Sequence, residues 1–225
     1  MKKLALSICA IALCLSTSFA FVACGKSNKL SYGKEYSINK VSMMGFSGSR
    51  NDLLDYIEAQ SNPDETNPYL SAFEIVTKIA FELEKDGTGT LRVNDFATIS
   101  GADSDSSDSV LRAYYELFDE YGLITANGDI ELAFDYTKTK NNISIDVVHT
   151  GIPEFPIGEN GDVSLVEFIE MASEESTNMK VANEDANVME LKEGKLYLTL
   201  SLEIYGDSEA TKPDLSTDVV FTFGR

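Results

Sequence analysis

The sequence predicts a mainly β domain: an antiparallel meander or barrel of about eight strands, with short helical insertions. Three observations carry this. Apolar and polar residues alternate with period two through several runs, such as Ile79, Phe81, Leu83 and Ile130, Leu132, Phe134, Tyr136. Turn residues sit between such runs, at Asp86-Gly87, Asn141-Asn142 and Glu193-Gly194. Helical spacing is confined to three short stretches, each opened by a capping signal.

In chain order, Tyr36 to Ser42 reads as the first strand. Leu53, Leu54 and Ile57 share a helical face behind a cap at Ser49 or Asn51, with Pro63 and Pro68 closing the segment. Ile79 to Leu83 and Leu91 to Val93 flank Lys85-Asp86-Gly87-Thr88 as a hairpin. The small and acidic stretch Ser100 to Ser109 leads into a helix carrying Val110, Leu111, Tyr114, Leu117, Phe118 and Tyr121, capped by Ser107 or Asp108 and stopped by Gly122. Ile130 to Tyr136 and Ile143 to Val147 form a second hairpin. After the turn-like Pro153 to Gly161, Ser164 and Glu167 are spaced as a capping box, and the third helix fades into the polar stretch around Glu174. Strands Val188–Leu191, Leu196–Tyr205 and Val219–Phe223 complete a count of eight.

The N-terminus has a different character. Lys2 and Lys3 precede an apolar run from Leu4 to Leu15, and small residues lead to Ala23-Cys24, the layout of a secretory signal. The run is shorter than the roughly 20 residues a permanent transmembrane helix needs. Phe21-Val22-Ala23-Cys24 resembles the lipobox of bacterial lipoproteins, with Phe21 in place of the usual Leu. That resemblance implies diacylglyceryl on the Cys24 sulfur, cleavage before Cys24, and an extracytoplasmic location on the cell membrane. Acyl chains supply about 0.8 kcal/mol per buried CH₂, enough for anchoring without protein contacts. The expected organisation is a signal peptide over 1–23, a lipidated tether over 24–33, and one domain over 34–225.

The three cysteines, Cys9, Cys14 and Cys24, all lie in the signal or at its end, so the mature domain has none for disulfides or thiolate metal sites. Its stability must come from the core, which 43% hydrophobic residues with twelve Phe and ten Tyr can fill. The net charge of −19 becomes −21 once Lys2 and Lys3 are removed. Net charge of this sign predicts repulsion from nucleic acid and anionic headgroups and favours cationic partners.

The order of the motifs in the folded part is similar to that of lipocalin-like lipoproteins of Gram-positive bacteria. The likeness rests on Gly33-Lys34-Glu35-Tyr36, Glu84 to Thr90, Phe134-Asp135-Tyr136 leading through Asn141-Asn142 to Ile145, Glu193 to Leu196, and Val220 to Phe223. It implies an up-and-down barrel whose interior holds packed side chains or one small ligand. An apolar ligand would meet alternate strand positions such as Phe81, Phe134, Tyr136 or Tyr197.

The chemistry-bearing residues leave catalysis unmarked. His149 is the single histidine, and Gly45-Phe46-Ser47-Gly48 lacks nucleophile-elbow spacing. Thirty-seven acidic residues offer carboxylate pairs without singling one out. No phosphate-cradling glycine loop occurs, and basic residues are scattered along the chain. No cofactor is expected. The main competing motif is an EF-hand-like loop over 84–95, with Glu84, Asp86, Thr88, Gly89, Leu91 and Asp95 at matching places, which requires a helix entering at Val76 to Leu83. Asp103 to Asp108 is a looser cluster of oxygen ligands, and Gly158 to Asp162 with Glu167 is too short for the motif. The expected function is non-catalytic binding of a small apolar ligand or a cationic envelope partner, with calcium binding or a purely structural role as the alternatives.

Overall fold

The computed structural model describes residues 29–60, 73, 75–101, 110–153, 161–171, 179–205, 212–213 and 215–225. The expected signal peptide over 1–23, Cys24, Pro63, Pro68, the Asp103–Asp108 cluster with its helix-cap candidates, Gly158 to Asn160 and Glu174 lie outside these residues.

Strands β1 (Glu35–Met43), β3 (Ile79–Leu83), β4 (Thr88–Val93), β5 (Ile130–Lys138), β6 (Asn142–His149), β9 (Val188–Lys192), β10 (Lys195–Ile204) and β11 (Leu215–Gly224) follow one another around a closed antiparallel ring. Closure is made by β1 against β11, from Ser37 opposite Gly224 to Met43 opposite Val219. These are the eight strands expected from the alternation. Three short strands lie off the ring or on its edge: β2 (Phe46–Gly48), β7 (Asp162–Val163) and β8 (Met179–Val181).

Hydrophobic alternation sets which face points inward. Phe81, Leu91, Leu132, Phe134, Ile143, Met189, Leu198, Phe221 and Phe223 are all at most 2% exposed. The Phe81 ring meets Phe134 edge-on at 5.9 Å and Phe223 at 5.1 Å, so the ring's middle is filled by interlocking aromatics. Gly89 belongs to this packing: a Cβ there would collide with the Phe134 ring and lie 2.6 Å from the Glu82 carbonyl.

The ring splays at two seams. β1 pairs with β3 over Glu35 to Ser37, then slips register on its β11 side and takes β2 as partner through a Met44-Gly45 turn. Both turn residues have positive φ, at 46° and 82°, the combination a type I′ hairpin requires. Helix α1 (Arg50–Gln60) packs on β1 and β2 and buries Leu53 and Ile57. β6 likewise pairs with β9 over Asn142 to Ser144, then turns to β7. Helix α4 (Leu165–Met171) lies against β6 and β8 there, with Leu165, Phe168 and Ile169 buried.

Helix ends follow their predicted chemistry. Ser164 and Glu167 form the capping box in full: the Ser164 N–H donates to Glu167 Oε2 at 2.7 Å, and the Glu167 N–H donates to Ser164 Oγ at 3.1 Å. Ser49 caps α1 with Asp52 in the same reciprocal way. Between them in sequence come α2 (Phe96–Ile99), which the alternation does not announce, and α3 (Val110–Glu120). Gly122 ends α3 at φ 70°, with Leu123 N–H donating to the Phe118 carbonyl and Gly122 N–H to that of Asp119, a Schellman arrangement.

Meander topology gives the barrel two unlike poles. The β3–β4, β5–β6 and β9–β10 turns lie at one pole with the first described residues and the C-terminal Arg225. Around the other pole and its flanks lie α1 to α4. At the turn pole the Gly33 N–H donates to the Leu83 carbonyl, the Ser31 N–H to Tyr36 Oη at 2.7 Å, and Arg225 Nη1 to Ser31 Oγ at 2.6 Å. Leu30 is buried beneath, and the Tyr136 hydroxyl donates to the Glu84 carbonyl. Tyr36 and Tyr136 thus place their rings in the core and their hydroxyls at the rim, the use to which buried tyrosine is suited. Burial pushes the Tyr136 phenol up to about 12, with smaller contributions from Tyr32, Asp86 and Glu84.

Candidate functional site: an outer-wall groove

Of the four residues expected to line an interior site, Phe81, Phe134 and Tyr136 do point inward, but Phe81 and Phe134 occupy the space themselves. Tyr197 points outward. On β10, Leu196, Leu198, Leu200 and Leu202 take the inner face, which leaves Tyr197, Thr199 and Ser201 on the outer one.

Those outward residues line a cavity of about 510 Å³ on the barrel wall. Its floor is β10; Asn142 of β6 and Val188 and Glu190 of β9 form one side, and Asn183 and Asp185 close it. The volume falls in the range usual for small-molecule sites, but its lining is mostly polar rather than mostly apolar. The crossing from β8 to β9 builds it. Asn183 Nδ2 donates to the Thr199 carbonyl at 3.0 Å, and its Oδ1 accepts the Ser201 N–H at 2.7 Å. The side-chain amide thereby fills the gap in the β10 ladder between β9, which ends at Leu198, and β8, which begins at Leu202. On the opposite seam Asn187 exchanges backbone and side-chain bonds with Ile145, and Ala186 is tucked fully into the core.

Asn183 Nδ2 also holds Asp185 Oδ1 at 3.0 Å, Ser201 Oγ donates to Asp218 Oδ1 at 2.7 Å, and Glu190 pairs with Lys192 at 2.6 Å. The Lys192 ammonium lies 6.0 Å from the Tyr197 ring centre. Among the described residues the side-chain amide of Asn142 and the hydroxyls of Tyr197 and Thr199 bond no other side chain, so donors and acceptors face the groove uncommitted. Sequence reading placed no site here; the missed signal is the regular Leu-x-Leu of β10, which dictates the outward face.

The EF-hand-like loop is overturned by secondary structure. Its incoming helix would occupy Val76 to Leu83, but Ile79–Leu83 is strand β3, paired along its length with β4. Asp86 turns back on its own loop, where Oδ1 accepts from Thr88 N–H and Oγ1, and this holds its carboxyl below the usual range. Asp95 lies at the other end of β4, roughly 20 Å away at about 3.3 Å per strand residue, and pairs with Lys78. One ion cannot be shared across that span.

His149 lies between two carboxylates, with Nδ1 2.8 Å from Asp162 Oδ1 and Nε2 3.3 Å from Asp135 Oδ2. The Asp162 hydrogen bond first, and Asp135 with it, raise the imidazole pKa against the opposing effect of burial. A catalytic triad needs one ring nitrogen facing a nucleophile, and here both face acids. On the same side of the ring, on β4, Arg92 is held by Glu131 on β5 and, at 2.6 Å, by Glu35 on β1, a clamp across four strands that uses both carboxylates structurally.

No described helix is long and apolar enough to cross a membrane. Comparison with protein-family models, curated proteins and solved structures returned no match.

Proposed function

We propose that this chain is a lipid-anchored, extracytoplasmic binding module, related to the lipocalin-like lipoproteins, which is held to the membrane through Cys24 and recognises an envelope partner without catalysis. The observation that carries the binding mode is the contrast between a ring interior filled by Phe81, Phe134 and Phe223 and a polar groove open on its outer wall. Asp185 and Glu190 give that groove acidic edges, and Asn142, Tyr197 and Thr199 offer hydrogen bonds. This chemistry suits a cationic, hydrogen-bonding partner better than the small apolar ligand that an empty barrel would favour.

A photo-crosslinker in place of Thr199, compared with one in place of the exposed Tyr121 at the C-terminal end of α3, tests it in intact cells. A discrete adduct from Thr199 alone, lost in Asp185→Lys, is the expected result. Equal or absent adducts from both positions would overturn the groove as the binding site.

A further inference from the structure

The chain carries 18 basic residues against 37 acidic ones, and in sequence the basic ones are scattered. The fold gathers them. In an up-and-down meander every second turn falls at the same pole, and those turns and their approaches contribute Lys85, Lys138, Lys140, Lys192 and Lys195, all exposed. Lys29, Lys34 and Arg225 join them, with the Lys29 carbonyl and the Arg225 guanidinium both beside Gly194 of the β9–β10 turn. Among the described residues eight cations thus meet five carboxylates, Glu82, Glu84, Asp86, Glu190 and Glu193, at this pole. Glu35, opposite Glu82 in register, is turned onto Arg92.

We propose that this basic pole docks on an anionic lipid surface, so that the barrel stands on the membrane with its helical pole outward. The proposal rests on the anchoring at Cys24 put forward above. The four residues between Cys24 and Lys29 span at most about 18 Å, at no more than 3.6 Å per residue. The tether therefore delivers this pole, and no other, to the headgroups, and keeps it within little more than two Debye lengths of about 8 Å at physiological salt. Opposite charge distribution does the rest: the remainder of the mature chain is strongly acidic and is repelled from the same surface.

The chain has no tryptophan, so a single reporter can be placed at either pole of the full mature protein. Thr139→Trp sits in the β5–β6 turn, and Tyr121→Trp lies at the end of α3, where Tyr121 is 47% exposed. Energy transfer is read to a headgroup-labelled acceptor in vesicles of phosphatidylcholine alone or mixed with phosphatidylglycerol. Docking predicts transfer from Thr139→Trp that rises several-fold with phosphatidylglycerol, falls in high salt, and is lost in a Lys85→Gln, Lys138→Gln, Lys140→Gln, Lys195→Gln background, with little transfer from Tyr121→Trp throughout. Equal transfer from both reporters, or transfer indifferent to lipid charge, would overturn it. So would a response to soluble polyphosphate without one to phosphatidylglycerol vesicles, which would make an anionic polymer the occupant. Failure of the chain to float with phosphatidylcholine vesicles would instead count against the Cys24 anchor; charge-dependent flotation on phosphatidylglycerol would then still support the basic pole.

Discussion

The side-chain amide of Asn183 pairs with the backbone of β10 as a neighbouring strand would, its Oδ1 accepting the Ser201 N–H at 2.7 Å and its Nδ2 reaching the carbonyl two residues back. One residue thus completes a ladder across the seam where β9 and β8 leave β10 uncovered, and it shapes the groove in doing so. Asn183→Ala removes both bonds from a partly buried strand edge. The expected loss is about 1–3 kcal/mol, or roughly 2–12 °C in melting temperature for a domain of this size, with faster amide exchange at Ser201. Unchanged exchange there would contradict the role.

The core makes a sharper demand at Gly89. Because an added Cβ meets the Phe134 ring and the Glu82 carbonyl, Gly89→Ala should destabilise by about 1–3 kcal/mol, the usual cost of overpacking. Phe134→Ala alone should cost about 3–5 kcal/mol through the cavity it leaves. If the ring is the principal obstacle, Phe134→Leu should relieve part of the Gly89→Ala penalty. A double-mutant cycle by denaturant unfolding reads the coupling, and strict additivity would place the strain elsewhere.

His149 ties β5, β6 and β7 together through Asp135 and Asp162. Its folded pKa is raised above the unfolded value, so the protonated ring contributes stability that is fully present below about 6.5, the ordinary histidine value, and is lost as pH rises through the folded pKa. His149→Gln should abolish this step in a series of melts from mildly acidic to mildly alkaline pH. The chain has no other histidine, so an identical step in the variant would rule His149 out as its source.

The outer clamp offers a control on surface electrostatics. Arg92 is about a quarter exposed, and its two partners more so, which limits the value of each pair. Arg92→Met should lower the melting temperature by only a few degrees, and added salt should narrow the difference. A salt-independent collapse would mean that the arginine stem supports packing rather than charge.

Much of the architecture could be read before the structure. Alternation along Ile130 to Tyr136 and along β10 reports which face is buried, Glu193-Gly194 and Asp86-Gly87 mark turns through backbone preference, and Ser164 with Glu167 marks a helix start through its reciprocal bonds. These are local signals. The two seams were not legible, because they depend on where β1 leaves β3 and β6 leaves β9, a competition between distant partners. The groove and the basic pole are products of topology: Asn183 meets Ser201 across 18 residues, and lysines far apart in sequence become neighbours only when alternate turns share an end. The EF-hand-like spacing of Glu84 to Asp95 fails for the same reason, since strand extension separates what a helix–loop–helix would bring together.

The most direct test of a lipid-anchored module is metabolic labelling with a palmitate analogue, followed by fractionation of cells expressing the chain or its Cys24→Ala variant. Anchoring predicts label and membrane retention for the unaltered chain, with both lost in Cys24→Ala. An unlabelled chain released to the soluble fraction, or a Cys24→Ala variant that keeps its label, would contradict it.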